Sequence, residues 1–322
     1  MSVTHIPFSN YGILSGELFL YGGGRAAFES PLPSLPSNDG NASRISISSD
    51  LSYCTNKCIL LGGLSDGLLP VPYTQRLEDV CRQHEWSLVQ PILTSSYTGF
   101  GHGSLQRDCD ELQELLSYLI SYRNGKEFAI IGHSTGCQDA VYFLKHGPND
   151  LRSIIRLVAL QAPVSDREDA MLQDTFAAKL DHAEALVHEG KGQEMLPRSY
   201  FWAPITAQRF VDLQAKGGMD DFFSSDFTDE ELATRLEHIG THDKLRLLVA
   251  FSGADEYVPS HVDTIALTHR LVRAMNTKCT EDRPVAEALY LKTGNHNLSE
   301  GPDDGAAFVN KISDMLGKLH SS

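Results

Sequence analysis

Gly132-His133-Ser134-Thr135-Gly136 sets a serine hydroxyl between two glycines, directly after the apolar run Glu127–Ile131 and before the helically spaced Cys137–Leu144. That pattern suits nucleophilic chemistry. A serine on a sharp strand-to-helix turn projects its hydroxyl beyond the sheet, and glycines without a Cβ let strand and helix approach closely enough to make the turn. The helix that follows also offers its first backbone N–H groups to a developing oxyanion. A second match to the same spacing, Gly63-Leu64-Ser65-Asp66-Gly67, also follows a strand-like run, but Pro70 and Pro72 delay any helix there. Ser134 is therefore the expected nucleophile. The earlier glycine loop is expected to supply the other half of an oxyanion hole, through the backbone N–H of Leu64 acting with that of Thr135.

A serine nucleophile needs a base, and the base needs an acid that fixes its tautomer. In the order serine, acid, histidine, the first candidate acid is Asp255, just past the apolar run Leu245–Phe251, with Glu256 as its neighbouring rival. Thirteen histidines compete for the base. His296 stands out because Leu289–Gly294 reads as a last strand and Asn295-His296-Asn297 as the loop after it. His133 is expected to pack inside the turn. His238 and His242 lack the glutamate of a zinc-binding HExxH helix, so neither a metal site nor any cofactor is expected.

The elements that must position these residues alternate. Strand-like runs at Cys58–Leu61, Ser87–Ile92, Phe128–Ile131, Ile155–Leu160, Leu245–Phe251 and Ala288–Leu291 are separated by helical stretches. The helices are expected at Val71–His84, Leu105–Tyr122, Thr135–His146, Val262–Met275 and Asp304–Leu319. Such alternation predicts an α/β fold, a mostly parallel twisted sheet covered by helices on both faces. Residues 166–243 break the rhythm with helix formers and a capping-box pattern at Thr228-Asp229-Glu230-Glu231. They are expected to form a helical cap inserted over the sheet's carboxyl edge, with residues 1–165 and 244–322 as the core. At the N-terminal side, Gly12–Tyr21 and Arg25–Glu29 read as strands around a Gly22-Gly23-Gly24 turn, which lacks the spacing of a dinucleotide loop. Ser30–Asp50 reads as a surface loop.

Composition narrows the partners. Twenty-seven Lys and Arg against 42 Asp and Glu give a formal charge of −15, which repels nucleic acid and anionic membranes. No apolar stretch is long enough to span a bilayer, and Met1–Pro7 lacks the basic and apolar regions of a secretory signal. Six scattered cysteines without a metal-type pair fit free thiols in a cytoplasmic protein. The oligomeric state is open.

With Ser134, Asp255 and His296 in this order, the chain resembles an α/β-hydrolase throughout. Leu61–Leu69, Gly132–Asp139, Leu196-Pro197-Arg198-Ser199 and Asp220–Asp226 resemble, more narrowly, a fungal and plant family that includes the fungal siderophore esterases. The resemblance implies a serine esterase working through an acyl-enzyme on small-molecule esters, fusarinine-type ferric siderophores among them, to release intracellular iron. It implies a roomy pocket, for which Ser65 and the cap residues Arg198, Tyr200, Phe201, Trp202 and Arg209 are candidate walls or anchors. Two other readings stand beside it: an esterase or acyltransferase for another acyl substrate, and a ligand receptor on a hydrolase scaffold.

Overall fold

The computed structural model describes residues 14–30, 54–280, 283–300 and 302–319. Eight strands form one sheet in the order β1-β2-β4-β3-β5-β6-β7-β8. They are β1 (Glu17–Tyr21), β2 (Arg25–Ser30), β3 (Asn56–Leu61), β4 (Trp86–Pro91), β5 (Glu127–His133), β6 (Ile155–Gln161), β7 (Arg246–Ser252) and β8 (Ala286–Leu291). β1 and β2 form the expected hairpin, and β2 joins β4 antiparallel. From β4 through β8 every pairing is parallel. The expected loop at 31–50 and the first residues of the expected N-terminal strand, Gly12 and Ile13, lie outside the described residues.

The central strands are apolar on both sides because both faces are covered. In β3, Cys58 and Leu60 pack into one core cluster while Ile59 and Leu61 enter the other; in β5, Ala129 and Ile131 are divided from Ile130 in the same way. This is the two-residue period of a strand read out as two cores. Helices α1 (Thr74–Gln83) and α9 (Pro302–Leu319) cover the first face, with Leu77, Phe308, Ile312 and Leu316 fully buried. Helices α2 (Leu105–Tyr122) and α3 (Thr135–His146) cover the other face, followed by the short α4 (Asn149–Arg152).

The helical stretch between β6 and β7 packs in two ways. Helices α5 (Phe176–His188) and α6 (Ala207–Gln214) share a small cluster of their own, built from Ala183, Leu196, Ile205, Ala207, Phe210 and Leu213. Helix α7 (Asp229–Leu236) starts with the expected capping box, Thr228 Oγ1 accepting from Glu231 N at 3.2 Å and Glu231 Oε2 from Thr228 N at 2.7 Å. It buries Leu232 and Leu236 in the main core beside α8 (Thr264–Met275). Helices α5 and α6, the lid, thus pack apart from the two main core clusters among the described residues.

Buried ion pairs fasten this stretch. Arg209 of α6 pairs with Asp220 at 2.6 Å and donates to Phe100 O at 3.2 Å. Arg167 meets Asp221 at 3.2 Å and also pairs with Asp226. The Asp220–Asp226 segment, conspicuous in the sequence, thus anchors the lid to the core.

Candidate active site

Parallel pairing brings the carboxyl ends of β3, β5, β6, β7 and β8 to one edge, where ligands bind in open α/β sheets. At the end of β5, Ser134 has φ 53° and ψ −124°, a left-handed backbone conformation that a non-glycine residue adopts only when its surroundings impose it. The flanking glycines supply that constraint. A Cβ on Gly132 would lie 2.4 Å from Gly136 O, and one on Gly136 would lie 2.6 Å from Leu61 O and 2.8 Å from Gly62 O. Strand, helix and the loop after β3 therefore close on each other with no room for a side chain.

That loop lies against the serine. A Cβ on Gly63 would stand 3.0 Å from Ser134 Cβ and 3.4 Å from its Oγ. Asp66 holds the loop, accepting from Gly63 N at 2.7 Å. Gly63 N–H is thus engaged, whereas Leu64 N–H has no partner among the described residues. Thr135 opens α3, so its N–H also has no intrahelical acceptor. Burial raises the Asp66 carboxyl pKa, opposed by the Gly63 hydrogen bond and by His296.

Asp255 and His296 meet. Nδ1 of His296 lies 2.8 Å from Oδ2 and 3.0 Å from Oδ1 of Asp255, with the Asp255 side chain fully buried. A carboxylate only accepts, so Nδ1 carries the proton and Nε2 keeps its lone pair. Tyr257 N donates to Asp255 Oδ1 at 3.1 Å. Glu256, the rival acid, instead accepts from the backbone N of His296 at 2.9 Å, and so fixes the loop.

Gln161, at the end of β6, ties this loop to the serine turn. Its Nε2 donates to His296 O at 2.8 Å, and its Oε1 accepts from His133 Nδ1 at 2.7 Å and Tyr73 OH at 3.2 Å. His133 packs inside the turn as expected, its ring 4.9 Å from that of His296. Burial first, then the neighbouring His296, lowers its pKa to about 3, so it stays neutral.

Ser134 and His296 open onto one cavity of about 590 Å³. Among the described residues no hydrogen bond joins Ser134 Oγ to the imidazole; in serine hydrolases this contact often tightens only as substrate binds. Leu64, Ser65, Tyr200, Phe201 and Trp202 line the cavity. Arg198 does not: its guanidinium turns to Trp202 O at 3.4 Å, outside the lining. Arg209 is consumed by Asp220 and Phe100 O behind the cavity wall. Gln161 carried no motif that would mark it in the sequence; Asp66 lay within the second glycine-serine match and Glu256 beside Asp255, but their roles, like that of Gln161, are on backbone groups brought near only by folding. Among the described residues no group of His, Cys, Asp and Glu is arranged to hold a metal, all six thiols are free, and no helix is long and apolar enough to cross a membrane.

Similar proteins agree with this architecture. The siderophore hydrolase EstB from Aspergillus fumigatus superposes with a TM-score of 0.74 at 26% identity, over 97% of this chain and 99% of that one. The fold is that of the α/β-hydrolases. Fusarinine C esterase sidJ, also from Aspergillus fumigatus, is 32% identical over 316 residues, 81% of this chain and 88% of its own. UPF0613 protein PB24D3.06c from Schizosaccharomyces pombe is 34% identical over 274 residues, 79% and 85% of the two chains. A family described as a protein of unknown function, DUF1749, matches residues 38–316, and the chain belongs to it.

Proposed function

We propose that this protein is a serine esterase that cleaves ester bonds of small molecules through an acyl-enzyme, with fusarinine-type hydroxamate siderophores as its substrate class. The observation that carries the reading is the Asp255–His296 pair, oriented with a free Nε2 in the same cavity as Ser134 on its strained turn. His296 takes the Ser134 proton as Oγ attacks the ester carbonyl, and Asp255 stabilises the imidazolium that results. The N–H groups of Leu64 and Thr135 receive the oxyanion, the alcohol leaves with the proton from His296, and water then releases the acid. Ser65, Tyr200 and Trp202 hold substrate at the wall. The siderophore assignment draws on the activities for which the Aspergillus relatives are named and on a roomy cavity of about 590 Å³. Release of iron inside the cell, in the cytoplasm, would follow from that activity.

The test pairs Ser134→Ala with product analysis. Wild-type protein incubated with a ferric fusarinine should yield ring-opened and monomeric products by mass spectrometry. Ser134→Ala, folded by circular dichroism, should lower kcat on p-nitrophenyl acetate by about 10⁴-fold or more. Full turnover by that variant, or intact siderophore beside rapid hydrolysis of lipid esters, refutes the chemistry or the substrate respectively.

A further inference from the structure

A second, smaller cavity lies against the loop that carries Leu64. It shares Leu64 and Asp66 with the cavity of Ser134, but its walls also include Thr135 and Asp139 of α3, Asp108 of α2 and Arg209 of α6. Asp139 stands four residues after Thr135, one turn along the same face of the nucleophile's helix. It is 8% exposed and makes no hydrogen bond among the described residues, and its Oδ1 is buried without a partner. Oδ1 of Asp108, a residue 3% exposed, is likewise buried without a partner. Arg209, the cation on this wall, is already engaged by Asp220 and by Phe100 O.

Buried carboxyls without protein partners call for another hydrogen-bonding group, because an unsatisfied buried polar atom is costly. The cavity measures about 30 Å³. One water takes roughly 10–15 Å³ of such space, so ordered water fits. Burial, then the neighbouring Asp108 and Asp220, holds the Asp139 carboxyl well above the ordinary aspartate range against the opposition of Arg209. As a neutral acid Asp139 donates as well as accepts, which suits a water partner. The Thr135 hydroxyl also has no partner among the described residues. The Leu64 loop needs support on this side. Asp66 ties it internally through Gly63 N, but among the described residues no hydrogen bond joins Gly62 or Leu64 to α2 or α3.

We propose that Asp139 is a positioning residue for the oxyanion hole: through water held in this second cavity it joins α3 to the Leu64 loop and to Asp108 of α2, so that the N–H groups of Thr135 and Leu64 converge on one point. Asp139 does not line the cavity of Ser134, so it acts on the reaction only through those donors. The inference rests on the Ser134 esterase reading and deepens it.

The test compares Asp139→Leu, which keeps the branched shape without polar atoms, with Asp139→Asn, which keeps a donor and an acceptor. Replacing a carboxyl that has no protein partner should leave the melting temperature of either variant close to that of wild type. On p-nitrophenyl acetate, Asp139→Leu should lower kcat by about tenfold or more with KM little changed, as expected when oxyanion donors lose their aim. Asp139→Asn should recover most of that loss. A purely structural role would instead lower the melting temperature and leave kcat per folded molecule unchanged. A high-resolution crystal structure of the wild-type protein should show water bonded to both Asp139 and Asp108. Wild-type kcat in folded Asp139→Leu, a loss carried by KM alone, equal losses in the two variants, or no water against Asp139 overturns the proposal. Should Asp139→Leu not fold, Asp139→Ala takes its place, and the crystal structure decides independently of either. Absence of both p-nitrophenyl acetate turnover and fluorophosphonate labelling of Ser134 in wild type is a different result, the failure of the esterase reading itself, and takes the positioning role with it.

Discussion

Replacing Asp255 with asparagine keeps the shape of the site and inverts its proton arrangement. Tyr257 N–H donates to Oδ1 at 3.1 Å, so the asparagine carbonyl oxygen stays there. The amide NH₂ then occupies the Oδ2 position, 2.8 Å from His296 Nδ1. The shorter of the two contacts to Nδ1, 2.8 Å against 3.0 Å, then sets a donor against the Nδ1 proton, which favours Nδ1 as acceptor and the ring proton on Nε2. Nε2 is the atom that must take the Ser134 proton, and it no longer has a lone pair to do so. The variant also loses the anion that steadies the imidazolium. With the aspartate side chain fully buried and the imidazole 11% exposed, charge centres about 4 Å apart at an effective dielectric near 20 interact by about 4 kcal/mol. Tautomer and charge together predict a loss of about 10⁴ in kcat, or about 5 kcal/mol of barrier. The assay is p-nitrophenyl acetate turnover at pH 8, with KM and melting temperature measured beside it; kcat should fall while KM changes little. A folded Asp255→Asn protein within tenfold of wild type refutes the role given to this pair.

Two more predictions follow from packing and from titration. Gly136→Ala places a methyl within 2.6 Å of Leu61 O and 2.8 Å of Gly62 O, both backbone atoms, so the loop bearing Leu64 must move. Melting curves should show a loss of about 1–3 kcal/mol, and turnover should fall by more than tenfold because an oxyanion donor is displaced; unchanged kcat would dissociate that loop from catalysis. Asp108, 3% exposed, is raised to about 6 chiefly by burial, with Ser95 and Arg209 opposing. The folded state therefore holds its proton more tightly than the unfolded chain does, and this stabilisation, full below the ordinary aspartate pKa, is lost as pH rises through about 6. Asp108→Asn does not titrate, so its stability relative to wild type should improve between pH 4 and pH 8 by up to about 3 kcal/mol in denaturant titrations. A constant difference across that range would contradict the raised pKa.

What could be read from the sequence was what local pattern dictates. Continuous apolar runs and helical spacing located β3 through β8 and the five core helices within a few residues, because strands buried on both faces have no alternative to continuous apolar composition. The expected α2, Leu105–Tyr122, agrees with the structure at both ends; its N-cap Ser104 accepts from Arg107 N at 3.2 Å. The glycines around Ser134 were legible because the turn admits no Cβ. The stretch 166–243 was harder. All its helices carry similar propensities, and only three-dimensional contacts separate α7, which buries leucines in the core, from α5 and α6. The same limit explains Arg198 and Arg209. A cationic residue in a cap reads as a substrate anchor until folding reveals whether its charge is already engaged.

Those engaged charges bear on how substrate reaches Ser134. Among the bonds that hold helix α6 are Arg209 to Asp220, Arg209 to Phe100 O, and Gln214 to Asp166 O. Removing one partner of a buried ion pair such as Arg209–Asp220 leaves an uncompensated charge, at a cost of roughly 3–5 kcal/mol, so this side of the lid does not open cheaply. Helix α5 is bound differently. Of its thirteen residues only Ala183 is buried, and among its hydrogen bonds to other elements is the contact of His182 with Tyr200 OH at 2.7 Å. Ala170 and Gln173 before it and the exposed Trp202 beyond it line the same cavity, with exposed Met171 and Leu172 next to them in the chain. An apolar rim beside a lightly held helix, opposite a helix anchored by buried charge, makes the lid asymmetric. Helix α5 also carries Lys179, which lines the cavity. The cavity thus has a cation, Lys179, on its less buried wall, and a carboxylate, Asp166, tied to α3 through Gln138 and to α6 through Gln214 on the wall held by buried charge.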